Sequence, residues 1–259
     1  MMKQPTPSPS NAVEKALRIL RAFTADHPIW GVRELSGRLG FSPATVQRLL
    51  QTLRSHGFVD QDPQTRHYRL GSVYYGFLHT LQSGLPVGRA AVPFMKQLLS
   101  RTRETVHLNV IDDLQRLCID TLESAQALKA SMPIGSRSPL HAGASSKCLL
   151  AFSPPEFVES FLAKEPLPGM TENTITDRER LRAELELIRS QGYAASLGES
   201  IAGLGSLSAP VLNHRSVLLA AVSLAVPEIR FRDEAHRKVC LRELRKAVAE
   251  ISKVMGYQG

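Results

Sequence analysis

Ser42-Pro43-Ala44-Thr45-Val46-Gln47-Arg48-Leu49-Leu50-Gln51-Thr52-Leu53-Arg54-Ser55-His56-Gly57 decides the fold of the first part of the chain. Ser42 suits a helix N-cap, and Pro43 suits the first helical position, where a missing N–H costs nothing. A rotation of about 100° per residue gathers Val46, Leu49, Leu50 and Leu53 into one stripe on a helix spanning 44–56. Ala44, Gln47, Arg48 and Gln51 share the opposite face. Arg and Gln carry forked donors that suit guanine and adenine edges in a DNA major groove. Every amphipathic helix has a polar side, so this face alone does not separate a DNA reader from a solvated helix.

The neighbours of that helix separate them. Upstream, Val32, Leu35 and Leu39 form a second apolar stripe that stops at Gly40, a left-handed cap residue. Before it, Val13, Leu17, Leu20 and Phe23 recur at helical spacing over 11–24. Helix, tight glycine-bearing turn and helix is the helix-turn-helix arrangement. Downstream, Gly57 ends the helix, 58–60 reads as a strand, 62–65 as a turn and 67–70 as a returning strand. A hairpin directly after the second helix is a wing. Arg66, His67 and Arg69 fall at or near its tip, within reach of phosphates, while Tyr68 and Leu70 are expected to pack inward. The first 80 residues hold ten Lys or Arg against five Asp or Glu, out of a net charge of +8 for the 259 residues. Positive charge concentrated in one small segment is the electrostatic footprint of a phosphate-backbone binder.

The quoted helix, together with Ala16-Leu17-Arg18-Ile19-Leu20, Val32-Arg33-Glu34-Leu35 and Tyr68-Arg69-Leu70-Gly71, resembles the DNA-binding domain of the IclR (isocitrate lyase regulator) family of bacterial transcriptional regulators. Where that family usually carries Lys-Ser, this chain has Pro43-Ala44. The resemblance and the helix pattern together make Ser42, Thr45, Gln47, Arg48 and Gln51, with Arg66, His67 and Arg69 of the wing, the candidate DNA contacts.

Four segments follow from the pattern: a disordered arm over 1–10, rich in Pro and Ser; a winged helix-turn-helix over 11–71; a linker helix over 72–85; and a second domain over 86–259. On the linker, Val73, Phe77 and Leu81 form an apolar stripe with Tyr74 and Leu78 beside it, suited to pairing two chains on a two-fold symmetric operator. Beyond Pro86 a helix (92–99) precedes strands at 105–111, 116–122 and 127–132. Ser153-Pro154-Pro155-Glu156 and Thr176-Asp177-Arg178-Glu179 read as capping boxes opening two helices, the second closed by Gly192. Strands at 193–197, 204–212 and 217–226 and a long helix over 233–255 complete an α+β domain, expected to hold an antiparallel sheet with helices packed to one side.

In this part Pro133-Ile134-Gly135, Ser138 to Ala151, Gln191-Gly192-Tyr193-Ala194, Gly198-Glu199, Gly203, Ala209-Pro210-Val211 and Ala220-Ala221-Val222-Ser223 resemble later blocks of the same family. The resemblance implies a GAF-like α/β effector-binding domain, homodimers paired into tetramers, and an effector site lined by Met132, Ile134, Leu140, Ala144, Ser145, Ser196, Leu204, Ser206 and Ser223. His141 reads as a structural residue of that loop. Independently, the small and hydroxyl residues of 142–147 stand where a helix begins, and free N–H groups at such a start suit a carboxylate. The implied ligand is a small organic acid, aliphatic or aromatic, with no cationic side chain clearly placed inside its site.

Cys118, Cys148 and Cys240 are odd in number and widely spaced, which suggests neither a disulfide framework nor a zinc site, and no motif calls for a cofactor. Gly143-Ala144-Ser145-Ser146-Lys147 superficially resembles a serine-nucleophile motif but fails both the Gly-x-Ser-x-Gly and the Ser-x-x-Lys spacings. The apolar stretch 217–226 falls well short of the roughly 20 residues of a membrane helix, and the start lacks a signal core. The expectation is a cytoplasmic, ligand-responsive regulator of a catabolic operon, a repressor without catalytic residues. A ligand-independent architectural DNA-binding protein, or an enzyme using the Ser145 loop, are the alternatives.

Overall fold

The computed structural model describes residues 11–84, 86–163 and 167–258, so the expected arm over 1–10 lies outside the described residues. The chain forms two compact units, 1–84 and 85–259.

In the first unit, α1 (Asn11–Ala22), α2 (Val32–Leu39) and α3 (Pro43–Ser55) surround a small core of Ile19, Leu35, Val46, Leu50, Val59 and Tyr68. Gly40, in the left-handed region at φ 70°, ends α2, and Ser42 caps α3 by accepting the Thr45 N–H. A two-residue strand, β1 (Ile29–Trp30), pairs with β3 (Tyr68–Leu70), which in turn pairs with β2 (Val59–Gln61), giving a three-stranded antiparallel sheet in the order β1-β3-β2. Trp30 donates its indole N–H to the Ala22 carbonyl at 3.0 Å, which accounts for α1 stopping short of Thr24. Tyr68 is buried as expected, but Leu70 is 43% exposed. Alternation puts Arg69 opposite Tyr68, yet Leu70 ends the strand beyond the edge of the core. At Gly71 a Cβ would fall 2.1 Å from the Gly57 carbonyl oxygen, so only glycine closes the wing there. The unit ends with α4 (Val73–Gly84), on which Tyr74 and Phe77 pack against Phe58. Tyr75, Phe77, Leu78 and Leu81 remain exposed, Leu81 at 64%.

The second unit comprises α5 (Pro86–Thr102), β4 (Thr105–Asp112), β5 (Gln115–Leu122), β6 (Arg137–Pro139), α6 (Ala144–Ala151), α7 (Pro155–Leu162), α8 (Arg178–Gln191), β7 (Ala194–Leu197), β8 (Leu204–Leu212), β9 (Leu218–Pro227), α9 (Glu228–Phe231) and α10 (Glu234–Val254). Its six strands form one antiparallel sheet in the order β6-β5-β4-β9-β8-β7. Val106 and Leu108 of β4, Leu207, Ala209 and Val211 of β8, and Ala220, Val222, Leu224 and Val226 of β9 meet α5 and α10 on one face. Leu140, Ala194 and Ala221 meet α6, α7 and α8 on the other. Helices therefore cover both faces, not one side. The near-continuous apolar run of β9 is the pattern of a strand buried on both faces.

Three local expectations are corrected. Residues 127–132 form no strand: Ser124 ties the chain back to Arg103 and Thr105, Lys129 and Ser131 bond Glu123, and β6 takes the place beside β5. Ser153 does not cap α7; its hydroxyl donates to the Leu149 carbonyl, and Pro154 occupies the cap position. Asp177, not Thr176, caps α8, by accepting the Arg180 N–H.

Candidate DNA interface and ligand cavity

On α3 the geometry divides the expected contacts. The Ser42 and Thr45 hydroxyls stand 2.9 Å apart and both serve the helix cap. Arg48 and Gln51 are exposed on the face opposite Val46 and Leu50. Gln47 is half-buried and turns toward the wing, its Nε2 3.4 Å from the Tyr68 hydroxyl. The exposed polar face of α3 is thus narrower than the helical pattern suggests, with Arg48 and Gln51 at its centre. In the wing, the Asp62 carboxylate accepts the Gln64 and Thr65 N–H groups, and these bonds, Thr65 first, hold its pKa below the usual carboxylate value. That turn delivers Arg66 with a positive φ of 62°, a conformation non-glycine residues adopt at a cost of about 1–2 kcal/mol. Arg66 and Arg69 are exposed, whereas His67 is half-buried and lies 4.0 Å from Glu34.

The second unit holds a cavity of about 290 Å³ on the sheet face away from α5 and α10, walled by His107, residues 128–132, residues 201–204, Ala225 and Pro227. Of the expected lining, Met132 and Leu204 stand in its wall. Ile134 is 60% exposed and Leu140 is fully buried in the core beneath α6, so neither lines it. Ser196, Ser206 and Ser223 lie on adjoining registers of the same sheet: Ser206 faces Ser196 on β7 and Ala225 on β9. Two of these hydroxyls are engaged within the protein. Ser196 Oγ accepts the Ala144 N–H at 2.9 Å, and Ser223 Oγ is shared between Asn109 Nδ2 and Ser208 Oγ.

The start of α6 carries its own carboxylate. Glu199 Oε2 accepts the Gly143 N–H at 3.1 Å, while its Oε1 and Glu184 Oε1 each lie 2.7 Å from the buried Lys147 ammonium. Two N–H groups at this turn, those of Gly143 and Ala144, are thus already engaged within the protein. Lys147 is committed to two acids, and His141 is structural as expected, its Nε2 2.8 Å from the Pro168 carbonyl.

Two cations stand at this site: Lys129, paired with Glu123, in the cavity wall, and Arg116 in contact with its Met132. Arg116 on β5 is only 4% exposed and lies on this side of the sheet, its Nε bonded to Ser138 Oγ at 2.7 Å and its Nη1 to Asn109 Oδ1 at 2.8 Å. The same Nη1 lies 2.7 Å from the sulfur of Met132, which walls the cavity. Burial pulls the guanidinium pKa down. On β4, His107 is buried in the cavity wall; burial, and then the charge of Arg116, push its pKa down to about 4. Its Nε2 has no hydrogen-bond partner, nor does Thr121 Oγ1 across the ladder from it. Alternation along β4 and β5 could have placed these residues on one face, but no motif singles them out among the other polar residues of those strands. Among the described residues no cluster of His, Cys, Asp or Glu could hold a metal, and no helix is long and apolar enough to cross a membrane.

A winged helix presenting an arginine-bearing helix, with a cavity-bearing α+β unit in the same chain, defines a DNA-binding transcriptional regulator. Residues 12–63 match the family described as "IclR helix-turn-helix domain" and residues 79–253 the family described as "Bacterial transcriptional regulator IclR C-terminal"; the chain belongs to the IclR family. It is 34% identical over 252 residues to the HTH-type transcriptional regulator KdgR of Dickeya chrysanthemi, covering 97% of this chain and 82% of that one. It is 32% identical over 246 residues to the HTH-type transcriptional regulator XynR of Escherichia coli, covering 95% and 97%. A solved structure of an IclR homolog from Microbacterium hydrocarbonoxydans, complexed with 4-hydroxybenzoate, matches with a TM-score of 0.82 and 25% identity over 95% of this chain and 99% of that one.

Proposed function

We propose that this chain is a cytoplasmic repressor of a catabolic operon, reading a pseudo-palindromic operator with α3 and the wing and answering to a small organic acid held in the second unit. Arg48 and Gln51 read bases, with Gln47 at the edge of that surface, while Arg66 and Arg69 bind phosphates. The α4 helix pairs two chains into a dimer, and dimers pair into a tetramer.

The observation that carries the ligand reading is the 290 Å³ cavity with an unpartnered buried His107 Nε2 in its wall. Buried polar atoms are rarely left unsatisfied, so an orphan in a cavity wall marks a place for a guest. The 4-hydroxybenzoate of the Microbacterium protein is an acid of the expected class.

The test is a fluorescence-anisotropy titration against DNA upstream of the chain's own gene, with and without organic acids. Arg48→Ala should cost about 1–3 kcal/mol and relax base preference, whereas Arg66→Ala should weaken binding to all sequences alike and flatten its salt dependence. Ligand should shift operator affinity by about 1–3 kcal/mol, and operator should shift ligand affinity by the same factor. Equal operator affinity of wild type and Arg48→Ala overturns the reading of α3; operator affinity indifferent to every acid overturns the ligand-responsive one.

A further inference from the structure

Arg116 is a buried cation without a counter-ion. No carboxylate among the described residues stands within ion-pair distance of it, and its hydrogen bonds run only to neutral groups of Ser138, Asn109 and Met132. Cys118, beside it on β5, offers no compensating charge, because burial raises its thiol pKa and keeps it protonated. Buried charges are ordinarily paired, since desolvating an isolated ion is expensive. Here the guanidinium spends Nε and Nη1 within the protein and leaves Nη2, a charged donor that suits one carboxylate oxygen. Met132, whose sulfur touches Nη1, also walls the cavity, and it is an unbranched side chain whose rotatable bonds let it adapt to a guest. On the cavity side of the same pair of strands, His107 Nε2 and Thr121 Oγ1 are both buried without partners.

We propose that Arg116 is the counter-charge for the effector, which is a small carboxylic acid carrying a second polar group: the carboxylate pairs with the Arg116 guanidinium, and a hydroxyl or carbonyl on the same molecule meets His107 Nε2. The proposal rests on the reading of the cavity as the effector site. It places the anion at β5 rather than at the α6 start, where the Gly143 and Ala144 N–H groups are taken by Glu199 and Ser196. A neutral His107 can donate or accept a hydrogen bond, so it selects a polar group without adding a second charge. Arg116 thereby sets the charge of the ligand, and His107 its substitution.

The competing role is a strut that ties β5 to Ser138 and Asn109. Calorimetric titration of the full-length protein, using 4-hydroxybenzoate against 4-hydroxybenzamide and pyruvate against pyruvamide, separates the two. The wild type should prefer at least one acid over its amide by about tenfold or more, the scale of a hydrogen-bonded charge. Arg116→Met should erase that preference while leaving affinity for the amide within about twofold, and Arg116→Lys should keep part of it. Unchanged operator affinity of the ligand-free variants establishes that they fold. Acid and amide affinities falling together in Arg116→Met would show a strut and overturn the proposal. A wild type that binds acid and amide equally, with operator release intact, overturns it while leaving the ligand-responsive regulator standing. A protein that binds neither, and whose operator affinity ignores both, removes the two readings together.

Discussion

His107 should make the protein sensitive to mild acid. In the unfolded chain its imidazole titrates near 6.5, and in the folded protein burial and the Arg116 charge lower this to about 4. The native state thus keeps the ring neutral over a range in which the unfolded chain takes up a proton. A lowered pKa on a base means that its contribution is fully present above pH 6.5 and is lost as the pH falls toward 4. At 1.36 kcal/mol per unit, the gap is worth about 3 kcal/mol, of which about 2 kcal/mol is already gone at pH 5. Urea denaturation of the full chain, monitored on the second unit at several pH values from 7.5 to about 4.5, measures it against His107→Gln, which has similar size and does not titrate. Carboxylates elsewhere in the chain are common to both proteins, and Glu123, which is held low mainly by its bonds to Lys129 and Ser131, is the one acid near this wall that also feels His107. The two stability curves should diverge steadily below pH 6.5. Parallel curves would refute the reasoning, because they would mean that the imidazole is solvated enough to protonate in the native state.

Lys147→Met should destabilise the second unit by about 3–5 kcal/mol by leaving Glu199 and Glu184 without their shared cation. Adding Glu199→Gln should recover part of that loss, and an unchanged urea midpoint for the single variant would show that the acids were already solvated. Leu81→Glu, on the exposed stripe of α4, should shift the assembly toward monomer in light scattering and lower affinity for a full operator far more than for a half-site; an unaltered oligomer contradicts pairing through that helix.

The parts legible in the sequence were those with a strong local period or an unambiguous cap. Ser42 and Pro43 announce α3, Gly40 ends α2 and Gly192 ends α8, because each position demands a particular backbone conformation or a side-chain oxygen. β1 was not legible: two residues carry no period, and their strand exists only because β3 has a free edge to pair with. The stretch 127–132 failed for the converse reason. Its composition tolerates a strand, but Ser124 turns the chain away and β6 already holds the neighbouring edge. In the second unit, local pattern placed hydroxyls on β7, β8 and β9 without revealing that Ser196 and Ser223 are spent on Ala144 and Asn109. Arg116 is the sharpest case: in the sequence it is one basic residue near a turn, and only the crossing of β4, β5 and the loop after it makes it a desolvated cation.

The cavity has two kinds of wall. Its floor is ladder: His107 and Ala225 belong to paired central strands, and a change of backbone there would break hydrogen bonds along β4 and β9. The wall at 128–132 belongs to no strand; Met132 touches the buried Arg116, while 128–131 is held by exposed side-chain pairs of Glu123 with Lys129 and Ser131 and by one bond from Arg230 to the Leu128 carbonyl. Exposed pairs of this kind are worth about 0–1 kcal/mol each. Substitutions at 128–131 can therefore reshape the chamber at little thermodynamic cost, while the paired strands keep His107 and Ala225 in register. A regulator built this way can change the molecule it senses by editing one short loop, with its sheet, and the reader attached to it, left untouched.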